Sequence, residues 1–211
     1  MGGAILAGLL KSGFDPANIS VSTKTAASAE KHIDELGVHA FALENGADAN
    51  AMAVAGADVV LVGVKPAYVT EVLAEIAEAI NDNALVISVA AGVTTATKEA
   101  DLPEDLGVVR AMPNTPAIVG RAVTGIAAGE RATDWAIETT VQLFETVGKT
   151  IVLDESKIDA LSTISGSGPA YVFYLIEQLT KAAKHHGFND QDAALLVNET
   201  FLGASELLVA S

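Results

Sequence analysis

Apolar positions along the first three quarters of the chain alternate between helical and strand spacing. Ile5, Leu6, Leu9 and Leu10 recur at helical intervals, so residues 2–11 read as a helix stopped by Gly13. Residues 18–22 put Ile19 and Val21 on one face of a short strand. Residues 26–36 read as a helix with Gly37 in the C-terminal position that favours a left-handed residue. Residues 48–56 form a short Ala-rich helix, and 58–64 a continuous apolar run ended by Pro66. Such a run is typical of a strand buried on both faces of a parallel sheet. The rhythm continues with helix 66–80, strand 84–90, helix 94–100, strands 107–111 and 122–128, helix 135–147 and strand 150–153.

Strands alternating with helices predict an α/β, doubly wound Rossmann-type domain. After Leu153 the pattern changes: 156–164, 170–186 and 190–210 all read as helices with no strand between them. The boundary is placed near Asp154, giving a dinucleotide-binding type of domain over 1–154 and an all-α domain over 155–211. A doubly wound domain ordinarily opens with a strand, a Gly-rich turn and then a helix. Here the helix begins at residue 2, and Met1-Gly2-Gly3-Ala4-Ile5 looks like the second half of a Gly-rich fingerprint. The first strand is therefore expected to be missing, and the last helix, uncapped at Ser211, to be truncated.

Composition narrows the function classes. Half of the 211 residues are hydrophobic, 18% are charged, and the formal net charge is −15. A chain this acidic repels phosphate backbones at long range, so no nucleic-acid partner is expected. An anionic cofactor must instead be held by backbone N–H groups, helix N-termini and a few hydroxyls or lysines. The absence of cysteine rules out a thiol nucleophile, a disulfide framework and a Cys-based metal site, and is compatible with a reducing cytoplasm. No signal peptide is evident, no stretch is read as approaching the ~20 apolar residues of a membrane span, and no metal site is expected.

Four segments carry candidate chemistry. Val64-Lys65-Pro66 and Ser88-Val89-Ala90-Ala91-Gly92 end two buried strands, where ligands bind in open α/β sheets. Taken singly, each is as well explained by a strand simply ending in a loop. Arg110-Ala111-Met112-Pro113-Asn114-Thr115-Pro116 is a stiff loop bracketed by prolines. Ser165-Gly166-Ser167-Gly168-Pro169-Ala170-Tyr171 opens a helix, with Pro169 suited to its first turn and Ser167 to its cap. A hydroxyl-rich helix start suits a carboxylate or amide, and equally an ordinary cap with close packing at the glycines.

In this order and spacing the four segments closely resemble pyrroline-5-carboxylate reductase, along the whole of residues 1–211 and including Asp159-Ala160. The resemblance implies an N-terminal dinucleotide-binding domain and a helical domain that interlocks with a partner chain as a homo-oligomer. It implies hydride transfer from NAD(P)H to the C=N carbon of 1-pyrroline-5-carboxylate, the step that makes L-proline. It places Met1 and Gly2 at the end of the phosphate-binding turn and Asn50 at the cofactor ribose. Val64, Lys65, Pro66, Ala90, Ala91 and Gly92 would line the nicotinamide side. Glu155, Ser165 and Ser167 would lie toward the substrate. The family continues to a Ser-Pro-Gly-Gly-Thr-like loop that these residues do not include, so the catalytic groups are expected beyond Ser211 and the activity of this chain is expected to be low.

The second strand ends in Ser22-Thr23-Lys24, without the acidic residue that grips an unphosphorylated ribose. Two hydroxyls and a lysine suit a 2′-phosphate, which favours NADPH over NADH. A related imine or β-hydroxyacid reductase, and a catalytically dead homologue that only binds nucleotide or assembles, are the competing readings. His185-His186 at a helix end suit the helix dipole rather than a metal. Trp135 reads as a packing anchor, Glu71, Glu75 and Glu78 as a solvated helix face, and His32 and His39 as surface residues.

Overall fold

The computed structural model describes all 211 residues and divides into two compact units, Met1–Ser162 and Thr163–Ser211. In the first unit, helix α1 (Gly2–Lys11) is followed by β1 (Ser20–Thr23), α2 (Ala26–Leu36), β2 (His39–Ala42), α3 (Ala49–Val54) and β3 (Val59–Val62). Then come α4 (Val69–Ile76), β4 (Leu85–Ser88), α5 (Thr95–Glu99), β5 (Val108–Met112), β6 (Ala122–Ala128), α6 (Asp134–Glu145), β7 (Gly148–Val152) and α7 (Ile158–Leu161). β1 and β2 pair as a two-stranded parallel sheet, and β3-β4-β5-β6-β7 form a five-stranded sheet in that order. All its pairs are parallel except β5 with β6. The chain between those two strands makes only the 3-10 turn Thr115–Val119, too short for the crossover that parallel strands need.

Alternate residues of β3, β4 and β5 enter two different cores, as a doubly wound sheet requires. Val60, Val62, Val86 and Val108 pack with Val69, Leu73, Ile76 and Leu106 on one face. Leu85, Ile87, Val109 and Ala111 pack with Ile5, Ala136 and Phe144 on the other. Helices therefore cover both faces. Gly125 on β6 permits the close seat of α7, because a Cβ there would stand 2.8 Å from Leu161 Cδ1.

Several elements differ from the sequence reading. β2 is absent from it: His39-Ala40-Phe41-Ala42 carries no β-branched residue, and its strand character comes from pairing with β1. Helix 66–80 resolves into the 3-10 turn Pro66–Tyr68 and a shorter α4. The single helix expected over 156–164 is broken into the 3-10 turn Glu155–Lys157, α7 and a π-turn at Ser162–Gly166. Trp135 is not a packing anchor; it is 51% exposed, and Phe144 fills the core beneath α6. His32 lies at the surface as expected, its Nδ1 2.8 Å from the Ser28 carbonyl.

The second unit is a pair of packed helices, α8 (Gly168–His185) and α9 (Asp190–Ala210). Gly187, at φ +93°, makes the turn between them, and the Asn189 side chain accepts the Asp192 N–H to cap α9. Only Ala193 and Val197 are buried, whereas Tyr171, Phe173, Tyr174, Leu207, Leu208 and Val209 are exposed. Contrary to the sequence expectation, α9 is long and apolar enough, by length and composition, to cross a membrane. Its Asp190, Asp192, Glu199 and Glu206 are equally compatible with a helix that packs against protein.

Candidate active site

The site is built at the carboxyl ends of β3, β4 and β5. Pairing of Val62 with Ser88, and of Ser88 with Arg110, brings the turns that follow these strands side by side. The turns containing Val64-Lys65-Pro66 and Ala90-Ala91-Gly92 are thus neighbours, as the sequence predicts for a cofactor edge. Val89 N–H donates to the Val62 carbonyl at 3.1 Å, and Ala90 N–H to Ser88 Oγ at 3.4 Å. Ala90 is buried, while Ala91, Gly92, Lys65 and Pro66 are exposed. Gly92 holds φ +72°, which a side chain would resist. The small residues leave a low wall on which a flat ring can rest. Asn114 ties the adjoining loop to β6, its Oδ1 accepting the Val123 N–H at 3.0 Å.

Behind that wall lies a charge cluster the sequence reading largely missed. Glu155 accepts both the N–H and the hydroxyl of Thr95, each at 2.8 Å, and Arg110 at 3.2 Å. Arg110 is itself buried and also reaches Asp159 at 3.3 Å. Burial alone would raise the Glu155 carboxyl, but the two Thr95 hydrogen bonds and the Arg110 guanidinium outweigh it and hold it below its ordinary value of 4.5. Lys98 is fully buried and donates to the Val93 carbonyl at 2.6 Å. Burial lowers its ammonium to about 8; Arg110 pushes the same way and Glu155 opposes. The signal was present: Thr95, Lys98, Glu99 and Leu102 are all buried at the i, i+3, i+4, i+7 spacing of a core stripe, with Lys98 inside it.

The other expected cofactor contacts lie at the ends of β1 and β2 and on α3. Ser22 and Lys24 are exposed, but the Thr23 hydroxyl is already used on the Thr25 and Phe41 carbonyls. Glu44 Oε2 accepts the Ala26 N–H at 2.8 Å, which brings a carboxylate to the start of α2. Its backbone is anchored beside Lys24, whose carbonyl accepts the Glu44 N–H. Asn50 is buried on α3 and donates to Glu75 at 3.0 Å, so Glu75 is not simply part of a solvated face. Met1 and Gly2 open α1, where no side chain caps the helix and a Cβ at Gly2 or Gly3 would meet nothing within 4 Å. In the second unit, Ser165 sits in the π-turn and Pro169 in the first turn of α8. Ser167 does not cap α8: its backbone is already helical and its side chain makes no cap bond, because the π-turn feeds directly into the helix. A wide groove of about 640 Å³ beside β7 includes Glu155 but neither turn of the cofactor edge, so it does not mark the site.

A doubly wound sheet with small residues at its strand ends, followed by a helical unit with a bare apolar surface, is the layout of a two-part nicotinamide-dependent oxidoreductase. Residues 1–92 match the family model described as NADP oxidoreductase coenzyme F420-dependent, and residues 155–211 the model described as pyrroline-5-carboxylate reductase dimerisation. The chain is 35% identical to the pyrroline-5-carboxylate reductase of Pseudomonas aeruginosa, over 100% of this chain and 76% of that protein. The structure of a pyrroline-5-carboxylate reductase from Coxiella burnetii superposes with a TM-score of 0.89 at 33% identity, covering 100% of this chain and 76% of that one. A Plasmodium falciparum pyrroline carboxylate reductase with NADP bound shares the fold, with a TM-score of 0.85 at 23% identity and coverage of 100% and 76%. The chain belongs to the pyrroline-5-carboxylate reductase family.

Proposed function

We infer that the chain carries out its family's reaction, the reduction of 1-pyrroline-5-carboxylate to L-proline, the last step of proline biosynthesis. The observation that carries this reading is the small-residue wall at residues 90–92 beside Val64-Lys65-Pro66, in a chain whose full length aligns with a 35%-identical reductase of that name. A nicotinamide held at this edge would supply a hydride to the imine carbon of the iminium form, whose C=N π pair would move to nitrogen while the nitrogen kept its proton. The protein's task is then alignment of the two carbons and electrostatic support, with no strong general acid required. In this reading Val64, Lys65, Pro66, Ala90, Ala91 and Gly92 bear on the nicotinamide, Asn50 on the ribose, and Met1 and Gly2 on the pyrophosphate at the start of α1. Ser165 and Ser167 are proposed as substrate residues on the family resemblance. Glu155 acts from behind, since both its oxygens are engaged by Thr95 and Arg110.

NADPH is the favoured cofactor, with NADH the poorer one. Ser22 and Lys24 are exposed at the end of β1, where no acidic residue directly follows the strand, although Glu44 brings a carboxylate to the start of α2. The Plasmodium relative holds NADP. An assembly domain beginning at 155 is supported by the start of the dimerisation match and by the bare apolar faces of α8 and α9, although residues 155–162 pack within the first compact unit, which runs to Ser162. A homo-oligomer working in the cytoplasm, with neither membrane nor nucleic acid as partner, fits these features. The readings as an imine or β-hydroxyacid reductase, or as a homologue that only binds nucleotide, are not favoured by the relatives. The test is an assay with 1-pyrroline-5-carboxylate and NADPH. Proline should appear mole for mole with NADP⁺, and NADPH loss without proline would reject the assignment.

A further inference from the structure

The turn at 90–92 is gripped from both ends by side chains that do not reach the cofactor edge. On its entry side, Val89 and Ala90 are bonded to Val62 and Ser88. On its exit side two grips follow in quick succession. Lys98, with no exposed surface, donates to the Val93 carbonyl at 2.6 Å. Thr95 gives both its N–H and its hydroxyl to the two oxygens of Glu155, a two-point clamp that the buried Arg110 completes. A buried lysine and a buried arginine are costly to place, and neither is needed to fill an apolar core. The charged groups that act on Lys98 are Arg110 from β5 and Glu155 from the turn after β7. The cluster thus joins three separate elements at the base of one short turn.

We infer that Lys98 and the Thr95–Glu155–Arg110 clamp are positioning residues for hydride transfer: they fix the 90–92 turn and, through it, the angle of the nicotinamide resting on it. This rests on the reading that the turn bears on the nicotinamide. A displacement of about 1 Å at a reacting centre costs on the order of a hundredfold in rate, so a turn with one grip released should lose kcat before it loses cofactor affinity.

The experiment uses the whole chain with NADPH and 1-pyrroline-5-carboxylate. Thr95→Val keeps the side chain's shape and removes one bond to Glu155; Thr95→Ser restores it; Lys98→Met keeps the length and removes the bond to Val93. Thr95→Val and Lys98→Met should each lower kcat about tenfold or more, with the affinity for 2′,5′-ADP unchanged. The emission of bound NADPH should move toward that of the free cofactor, and Thr95→Ser should recover both signals. A rate and emission within twofold of the parent for either variant overturns that grip, and equal defects in Thr95→Val and Thr95→Ser overturn the clamp. Ala91→Val, on the turn itself, separates the two levels. If it changes neither rate nor emission, the nicotinamide does not rest there and both readings fall. If it changes them while Thr95→Val and Lys98→Met do not, only the positioning inference falls.

Discussion

The Glu44 carboxylate accepts the Ala26 N–H at 2.8 Å and so occupies the positive end of α2. Glu44 lies in the connection after β2, a residue that register alone brings next to Lys24. A cofactor 2′-phosphate approaching Ser22 and Lys24 would meet this carboxylate. Glu44→Gln is expected to raise the preference for NADPH over NADH. Lys24→Ala together with Ser22→Ala is expected to lower it about tenfold to a hundredfold, since a charge-assisted contact contributes about 1.5–3 kcal/mol. Steady-state kcat/KM for both cofactors checks this; equal losses for NADPH and NADH would place the 2′-phosphate elsewhere.

Lys98 predicts an unusual alkaline stability profile. Its ammonium is held near 8 when folded and titrates at its ordinary 10.5 when unfolded. Between these values the unfolded chain binds more protons, so this residue makes stability rise with pH from about 8 to 10.5. Urea unfolding of the parent and of Lys98→Met across that window should show the rise only in the parent. Parallel profiles would mean that Lys98 is not buried as described.

Glu155 acts in the acid direction. Its folded carboxyl lies below 4.5, so its contribution is complete above that value and fades as pH falls through the folded pKa. Arg110→Met would leave Glu155 with Thr95 alone and is expected to cost about 1.5 kcal/mol, the low end for a hydrogen bond to a charged group, because Glu155 is partly open to water and keeps both Thr95 bonds. Chemical denaturation reads this directly, and a loss below ~0.5 kcal/mol would place the pair in the class of screened surface bridges.

A substitution at Gly125 tests the packing that leads into the 155–162 segment. A Cβ there would meet both methyls of Leu161, at 2.8 and 3.2 Å, and Ile158 at 3.3 Å. All three are the ends of flexible side chains that can turn aside, so Gly125→Ala should cost only about 1 kcal/mol. A loss above about 3 kcal/mol would mean that Leu161 and Ile158 have no room to turn.

The two-helix second unit should not remain alone in solution. Tyr171, Phe173, Tyr174, Leu195, Leu207 and Leu208 are all exposed on α8 and α9, and a two-helix pair cannot cover such a surface by itself. Sedimentation at micromolar concentration should give a dimer or larger, and Leu195→Glu should weaken it. A monodisperse monomer would contradict this use of the α8–α9 surface.

The fold was legible wherever one local signal decided the outcome. Periodicity located α1, α2, β6 and α9, and the continuous apolar runs located β3 and β4, because burial on both faces leaves little sequence choice. It failed where tertiary pairing decides. His39-Ala40-Phe41-Ala42 becomes a strand only beside β1, and the antiparallel return of β6 depends on the length of a turn. The side-by-side turns proposed to bear on the nicotinamide were readable because they sit at strand ends marked by Pro66 and Gly92. The clamp was not, since Thr95, Arg110 and Glu155 are distant in sequence and meet only across three elements.

The central claim is hydride delivery to the imine carbon of 1-pyrroline-5-carboxylate. NADPH carrying deuterium at the transferable C4 position tests it most directly, with the product examined by NMR or mass spectrometry. The account predicts proline bearing one deuterium on the ring CH2 next to nitrogen and none on the carbon that bears the carboxylate, formed mole for mole with NADP⁺. Proline without label, or NADPH oxidised with no proline formed, would contradict it.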